Sequence, residues 1–541
     1  MEKEYTVIAN TREDLPALEA EITASSGAGP IPNRSVDIAN PRPGSKIQTH
    51  FMLTDDEAEE LRKDPRVRAV DIPPDQRDDI SIGLNAYQKE DPYKFYRGSG
   101  LSDTYINWGL KRCIKETNEF VAFGNRSTGS PGDYEYAIDG TGVDVVIQDS
   151  GIEPNHPEWE DANGVSRLQQ IDWYTASGLS GTQSANHYRD YDGHGTHCAG
   201  IAAGKLYGWA KGAHIYSQKL NGLEGPGDTG TGISISDAFD CIRLWHNAKT
   251  NGRPTVVNMS WGYGATISTD PTSGVYRGTA WTYGVDYTDR NTLEDATGVS
   301  VDRYIDAGSN TFFRMSVRVA SVDAEIEDMI SDGIHICIAA GNDFVKNDIS
   351  TGPDWNNTVV FNSTTYNYMQ GSSPWSQNAF MVGNIDSEFS QYLSETYSAA
   401  EILLDQTASS SKKGPGVNIW APGTNIMSAC STINDGYTTT THPENNSYFV
   451  MSISGTSMAS PQVAGVVAQH LQVNPDLTPA QMQQRIWNDS KTTLYDTGSA
   501  TDYGRILDSI MGSPNRMLYS RYGKQAITTN TASILEAISV T

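Results

Sequence analysis

Positive charge is scarce in this sequence: 39 Lys and Arg stand against 66 Asp and Glu, a net charge of −27 over 541 residues. A surface that negative repels phosphate backbones and anionic headgroups, which argues against nucleic acid and membrane partners. Long hydrophobic runs are missing as well. No apolar stretch approaches the roughly 18 residues of a membrane-spanning helix, and Met1-Glu2-Lys3-Glu4-Tyr5 opens without the apolar core of a signal peptide. Neither a span nor a leader is expected, and the compartment stays unassigned. The five cysteines (Cys113, Cys198, Cys241, Cys337 and Cys430) are too few for a disulfide scaffold, and their odd number leaves at least one thiol without a partner in the chain. What the chain does have is 37% hydrophobic residues, enough for a packed core, and 50 Gly with 24 Pro, which predict elaborate loops between short elements.

Two regions differ in pattern. Tyr5 to Ala9 predicts a strand and Thr11 to Ile22 a helix capped by Thr11; His50 to Leu53, a capping box at Thr54-Asp55-Asp56-Glu57 and Val67 to Ile72 predict a second strand–helix–strand set, ended by Pro73-Pro74. Residues 1–74 are therefore expected to be a small α+β unit, and the polar stretch 75–103 a linker. From about 104, β-branched runs (143–147, 215–220, 255–259, 333–339) alternate with helical patterns (237–247, 324–331, 460–471). That alternation predicts an α/β fold with a mostly parallel sheet, whose site lies past the carboxyl ends of the strands.

Three segments place reactive side chains at such ends. In Val145-Val146-Ile147-Gln148-Asp149-Ser150-Gly151 a carboxylate follows a buried strand, a place that equally suits a turn or N-cap Asp. In Asp192-Gly193-His194-Gly195-Thr196-His197-Cys198-Ala199-Gly200 two histidines open a helix, but the third ligand that zinc requires is missing. In Ser454-Gly455-Thr456-Ser457-Met458-Ala459-Ser460-Pro461 small residues leave room above Ser457 at a helix N-terminus, where N–H groups favour a developing oxyanion. A serine hydroxyl needs a base, and the base a carboxylate to fix its tautomer; all three residue types are present.

In that chain order the three motifs resemble the signatures of the subtilisin-like serine proteases, and finer details (Asn107-Trp108-Gly109-Leu110, Cys198, the short 206–211 loop) resemble the proteinase K-like branch. The resemblance, which covers about 104–523, implies a three-layer subtilisin-like fold and a serine endopeptidase acting through an acyl-enzyme on peptide or protein substrates. Asp149 matches the orienting carboxylate, His194 the general base and Ser457 the nucleophile, leaving His197 structural. Asn342, in Ala339-Ala340-Gly341-Asn342, matches the oxyanion donor. Ser260-Trp261-Gly262 resembles the strand that pairs with substrate, Gly230-Thr231-Gly232 the opposite rim, and Ala340-Gly341 a third wall. The reaction calls for no organic cofactor. Asp386 matches a structural calcium ligand of many members, although as a bare residue it reads as a solvated acid. Residues 1–74 resemble the family's propeptide inhibitor, which implies a zymogen cut by itself within 75–103; an independent accessory domain is the alternative.

The chain also departs from the pattern. Ser260 and Asn342 lie 82 residues apart, so about 50 residues between Tyr263 and Ser321 form an insertion, a surface for a cleft cap, a partner or an oligomer contact. Residues 345–380 are expected to be loop-rich, and 524–541 carry no assignment. Sedolisins share the Ser-Gly-Thr-Ser segment but lack the His-Gly-Thr-His base, so His194 decides against them. A catalytically silent protease scaffold serving in an assembly is the rival from another class.

Overall fold

The computed structural model describes residues 2–32, 34–84, 88–89, 107–118, 136–302, 312–343, 345–386, 404–498 and 509–523. Most of the expected linker (85–87 and 90–103) and the 524–541 tail lie outside the described residues.

The N-terminal residues form a four-stranded antiparallel sheet in the order Ile38–Asn40, Gln48–Leu53, Lys3–Ala9, Val67–Asp71. Strand alternation sorts its side chains. Val7 packs with Leu18 of the helix Asp14–Ile22 and Leu61 of the helix Asp55–Leu61, whereas Ile8 joins Ile47 and Ala324. The Thr54–Glu57 capping box is formed as the sequence predicts. The first helix, however, starts at Asp14 and not beyond Thr11. Thr11 and Asp14 exchange side-chain-to-backbone bonds of 3.2 and 3.3 Å across a turn that precedes the helix.

The larger part is built on an eight-stranded sheet. Its order is Leu168–Gln169, His214–Lys219, Asp144–Asp149, Thr255–Met259, His335–Ala339, Phe380–Asp386, Gln406–Thr407, with Ile419–Pro422 also on Phe380–Asp386. Every ladder is parallel except the one to Gln406–Thr407. Strands buried on both faces need apolar layers on both sides. One layer holds the helices His194–Ala203 and Thr456–Val473, the other Ile235–Ala248 and Ala320–Ser331. Crossovers of this kind bring the carboxyl ends of the central strands to one rim. Asp149, Ser260 and the Ala340-Gly341-Asn342 turn all lie there.

The insertion is ordered structure. Strand Trp261–Ile267 leaves the rim and pairs antiparallel with Phe312–Ser316. Strands Ser273–Tyr276 and Thr279–Thr282 join Thr358–Phe361 and Thr364–Tyr366 in a second sheet, with Trp281, Leu293, Phe313 and Phe361 in a core of their own. The 345–380 region thus carries strands where loops were expected, because its apolar residues are buried by the insertion and not by the main sheet.

Buried charge holds the two parts together. Arg42 Nε lies 3.0 Å from Asp240 Oδ2 and its Nη2 2.5 Å from Glu325 Oε1, with all three side chains only 3% exposed. Gln48 also donates to Glu325, Lys46 pairs with Asp332, and its backbone N–H reaches Asp328 at 2.8 Å. Both carboxylates that meet Arg42 sit on the helices of the larger part, so removing the guanidinium takes this cation from Asp240 and leaves Glu325 with Arg243 at 3.5 Å. Arg42→Ala is expected to lower the stability of the docked state by about 3 to 5 kcal/mol, the cost of breaking a buried pair from one side. A denaturant titration that shows a loss below about 1 kcal/mol would exclude this network as the clamp.

Candidate active site

Asp149 ends its strand with no exposed surface. Its Oδ1 accepts from the Ser150 N–H and from His194 Nδ1, each at 2.8 Å. For His194 to reach it, the helix His194–Ala203 must press its first turn against the 149–151 loop. Glycine on both sides of the histidine allows that. Gly193 takes φ +98° as N-cap, and a Cβ on Gly195 would stand 2.1 Å from the Gly151 carbonyl oxygen. Asp190, which the sequence reading passed over, completes the arrangement. Its Oδ1 accepts from Ser150 Oγ and the Gly193 N–H, and its Oδ2 from the Thr196 N–H and Oγ1. The visible signal was an acid just ahead of Asp192-Gly193-His194.

Burial by itself would lower the His194 pKa, but the adjacent Asp149 carboxylate outweighs it and holds the ring well above the usual histidine value. His197, facing the Ile426 and Met451 carbonyls through Nε2, is pushed down to about 3, chiefly by burial, and stays neutral.

Ser457 lies in the first turn of Thr456–Val473. Pro461, four residues on, has no N–H to give the Ser457 carbonyl. Ser260 Oγ takes that carbonyl at 3.0 Å and Cys198 Sγ approaches it at 3.5 Å. The serine is thereby tied to the end of Thr255–Met259 and to the histidine helix. Its own hydroxyl donates to the Ser260 carbonyl at 3.0 Å, and His194 Nε2 makes no hydrogen bond among the described residues. The structure joins Asp149 to His194 but leaves Ser457 turned aside. Asn342 is held by its Oδ1, which accepts from the Thr456 N–H at 2.9 Å and Thr456 Oγ1 at 3.1 Å. That fixes the amide so that its Nδ2 is the donor end.

A segment of the chain itself lies along the site. Ser81–Leu84 pairs antiparallel with Trp261–Gly264 in the register Leu84↔Trp261, Gly83↔Gly262, Ile82↔Tyr263. Beyond three residues outside the described set, Gln88 and Lys89 pair with Ser454 and Ile453, directly ahead of Ser457. Trp261 and Gly262 thus contact an extended strand, and Gly341 donates its N–H to Thr456 Oγ1 nearby, while the Ala340 N–H is spent on Val382. Around residues 230–232, Gly232 packs on Leu220 and Asn221, Thr231 bonds Asp228 and Lys219, and Ile82 reaches toward Gly222.

Asp386 ends its strand opposite Gln406. Among the described residues the one cluster of three ligating side chains is Asp149, His194 and Cys198, a set that does not suit an oxygen-seeking cation. Among the described residues Asp386 belongs to no group of three ligating side chains. Among the described residues no helix is long and apolar enough to cross a membrane.

The model of the subtilase family matches residues 140–505, more than half of the chain. This protein belongs to the subtilase family. A cuticle-degrading serine protease of Arthrobotrys oligospora is 26% identical over 423 residues, 77% of this chain and 69% of that protein. A subtilisin-like serine protease of Cochliobolus lunatus is 27% identical over 397 residues, 70% of this chain and 54% of that one. Alkaline serine exoprotease A of Vibrio alginolyticus is 24% identical over 468 residues, with shares of 86% and 57%. The subtilase chain spans between about half and two thirds of the length of these relatives. Among solved structures, fervidolysin from Fervidobacterium pennivorans matches with a TM-score of 0.48 at 16% identity, over 98% of this chain and 61% of that one.

Cys198 lies 3.8 Å from His194 Nδ1, and burial raises its thiol pKa, so at neutral pH it is a packed thiol and not a nucleophile. Cys198→Ala in this subtilase is expected to keep the fold and to leave Ser457 reactive toward a fluorophosphonate. A folded variant that no longer reacts would assign the sulfur a direct part in the chemistry.

Proposed function

We propose that this subtilase is a serine endopeptidase made as a zymogen that processes itself. Ser457 Oγ attacks the carbonyl carbon, His194 Nε2 takes the hydroxyl proton and returns it to the leaving amine, and Asp149 keeps the imidazole in one tautomer and balances its charge. The Asn342 Nδ2 and the Ser457 N–H receive the oxyanion. The turned hydroxyl of Ser457 fits a site at rest, since catalytic hydrogen bonds commonly align only when substrate is seated.

The observation that carries this reading is the chain's own segment, paired on both sides of Ser457. A peptide held by strand addition on Trp261–Gly264 and again on Ile453–Ser454 presents the bonds between the two pairings to the serine. Leu84 and Gln88 are four residues apart in the chain. The α+β unit of residues 1–74 acts as the inhibitor, clamped by the Arg42 network while its following segment fills the cleft. The larger part, from about 104 to 523, is the catalytic domain. For calcium the support is only the habit of the family, with Asp386 as the residue that matches one of its ligands.

The first cut is expected between Leu84 and Gln88, at a rate independent of protein concentration, and Ser457→Ala should remain one chain. Mass spectrometry of the refolded protein over time decides this. An intact wild-type chain that nonetheless cleaves an added peptide would make the N-terminal unit an accessory module.

Asn342→Ala is expected to lower kcat by about 10²- to 10³-fold with KM little changed, the scale known for removing one such donor from a subtilisin. Steady-state kinetics on a peptide substrate measures it, and a loss under about tenfold would leave Asn342 a turn residue. If Ser457 resists a fluorophosphonate after the N-terminal unit has been removed, the silent-scaffold reading takes the place of the peptidase.

A further inference from the structure

A pocket of about 250 Å³ opens beside Asn342, between Gly262 and Gly264 on one side and Gly341 and Asp343 on the other. The insertion contributes part of its lining through Met315 and Ser316. The chain's own strand runs along it. Ile82 and Leu84 pack with the apolar cluster that contains Phe239 and Trp261, and Ser81, Gly83 and Leu84 line the pocket. A peptide laid on Trp261–Gly264 as Ser81–Leu84 is laid therefore runs along this pocket, beside Asn342.

Exposed Ser81, Thr266 and Arg314 line this pocket, and a buried ion pair lies among its polar groups. Asp343 Oδ2 accepts from Ser316 Oγ at 2.7 Å, and Asp343 Oδ1 lies 2.6 Å from Lys412 Nζ. Lys412 is 1% exposed and Asp343 8%. The lysine reaches the acid by laying its stem over Gly341, where a Cβ would stand 2.9 Å from its Cδ and Cε. The pair is close but not aligned as a hydrogen bond, so Lys412 Nζ keeps donors to give and Asp343 Oδ1 keeps acceptor capacity.

We propose that this pocket takes the side chain preceding the scissile bond and selects a carboxamide, asparagine first, with Lys412 Nζ donating to its oxygen and its NH₂ donating to Asp343 Oδ1. The assignment rests on the peptidase reading above. A basic side chain would meet Lys412 and an acidic one Asp343, each forcing a buried pair apart. An aliphatic or aromatic side chain would cover both ions and satisfy neither. A carboxamide carries donor and acceptor together and no charge. The chain itself offers Asn85 after Leu84, at a position outside the described residues.

The test uses the full chain, incubated until its N-terminal part has separated, with Ser457 titrated by a fluorophosphonate. Quenched peptides Ile-Gly-Leu-X-Ala-Tyr, with X as Asn, Gln, Asp, Lys, Leu or Phe, are compared by kcat/KM, and mass spectrometry locates the cut. Asn is expected to exceed Asp, Lys, Leu and Phe by at least about tenfold, because a site built to hydrogen-bond its ligand discriminates strongly against partners that leave it unpaired. Two charge variants sharpen the test. Asp343→Asn, nearly isosteric, should move the preference toward acidic X, and Lys412→Met toward basic X. Cleavage that favours Leu or Phe, or variants that change every rate alike without changing the order, would overturn the assignment and leave the peptidase reading standing. Should a variant not fold, the order found for the parent protein decides alone. A protein that cleaves no peptide and is not labelled at Ser457 refutes the peptidase reading, and the pocket assignment falls with it.

Discussion

Asp149 has no surface exposed to water, and an ionised carboxylate in that situation costs several kcal/mol unless donors surround it. The Ser150 N–H supplies one donor from the same turn. The other has to come from a different element, and only a close helix can deliver the imidazole at 2.8 Å. The glycines around His194 let that helix close in, and Asp190 stitches its first turn to Ser150. Once the helix is fixed, Cys198 on its inner side meets the Ser457 carbonyl, which Pro461 has left without its helical partner. One buried charge at a strand end therefore sets the positions of the three elements that carry the chemistry.

The second constraint is an open strand edge. Trp261–Ile267 leaves the rim with one side taken by Phe312–Ser316 and the other offering unpaired N–H and C=O groups, a template for any extended chain. Ser81–Leu84 fills it in this structure. Because the insertion backs the strand along Gly264–Ile267, the edge is held straighter and longer than a bare loop would hold it, and the same backing brings Ser316 to Asp343. Substrate grip and pocket chemistry thus share one element.

The sequence made the candidate centre legible because each of its segments has a local pattern. A carboxylate after an apolar run, a glycine-flanked histidine and a serine among small residues each report their surroundings within a few positions. The alternating strands and helices of the main sheet were legible for the same reason, their buried runs being nearly uninterrupted. The N-terminal strands, too, followed from short-range pattern, whereas the start of the first helix was misjudged by the Thr11–Asp14 turn. Long-range matters left little trace. Nothing near Asp190 shows that five groups will converge on its carboxylate, and nothing in the polar stretch after Pro74 shows that Ile82 and Leu84 will bury against Trp261, since two apolar residues alternating with Ser81 and Gly83 are too short a pattern to call a strand. The placement of Gly230–Gly232 was set by packing on Leu220, a contact with no signature in its own segment.

The N-terminal unit is held at two places of different chemistry, and the distinction matters for how it would leave. The cleft segment is bound through backbone ladders of four and two residues, whose strength before any cut is raised by attachment to the rest of the chain. Severing the chain between Leu84 and Gln88 removes that advantage at once, because the cleft then competes for the freed end as for any other peptide. The Arg42 network is untouched by the same cut. Arg42, Asp240 and Glu325 are buried and little screened by salt, so on the zymogen reading the 1–74 unit would stay docked on the helices Ile235–Ala248 and Ala320–Ser331 while its tail exchanges in the cleft. On that reading cleavage and release would be separate events. The first depends on the strand edge beside Ser457, the second on water reaching Asp240 and Glu325 when Arg42 withdraws.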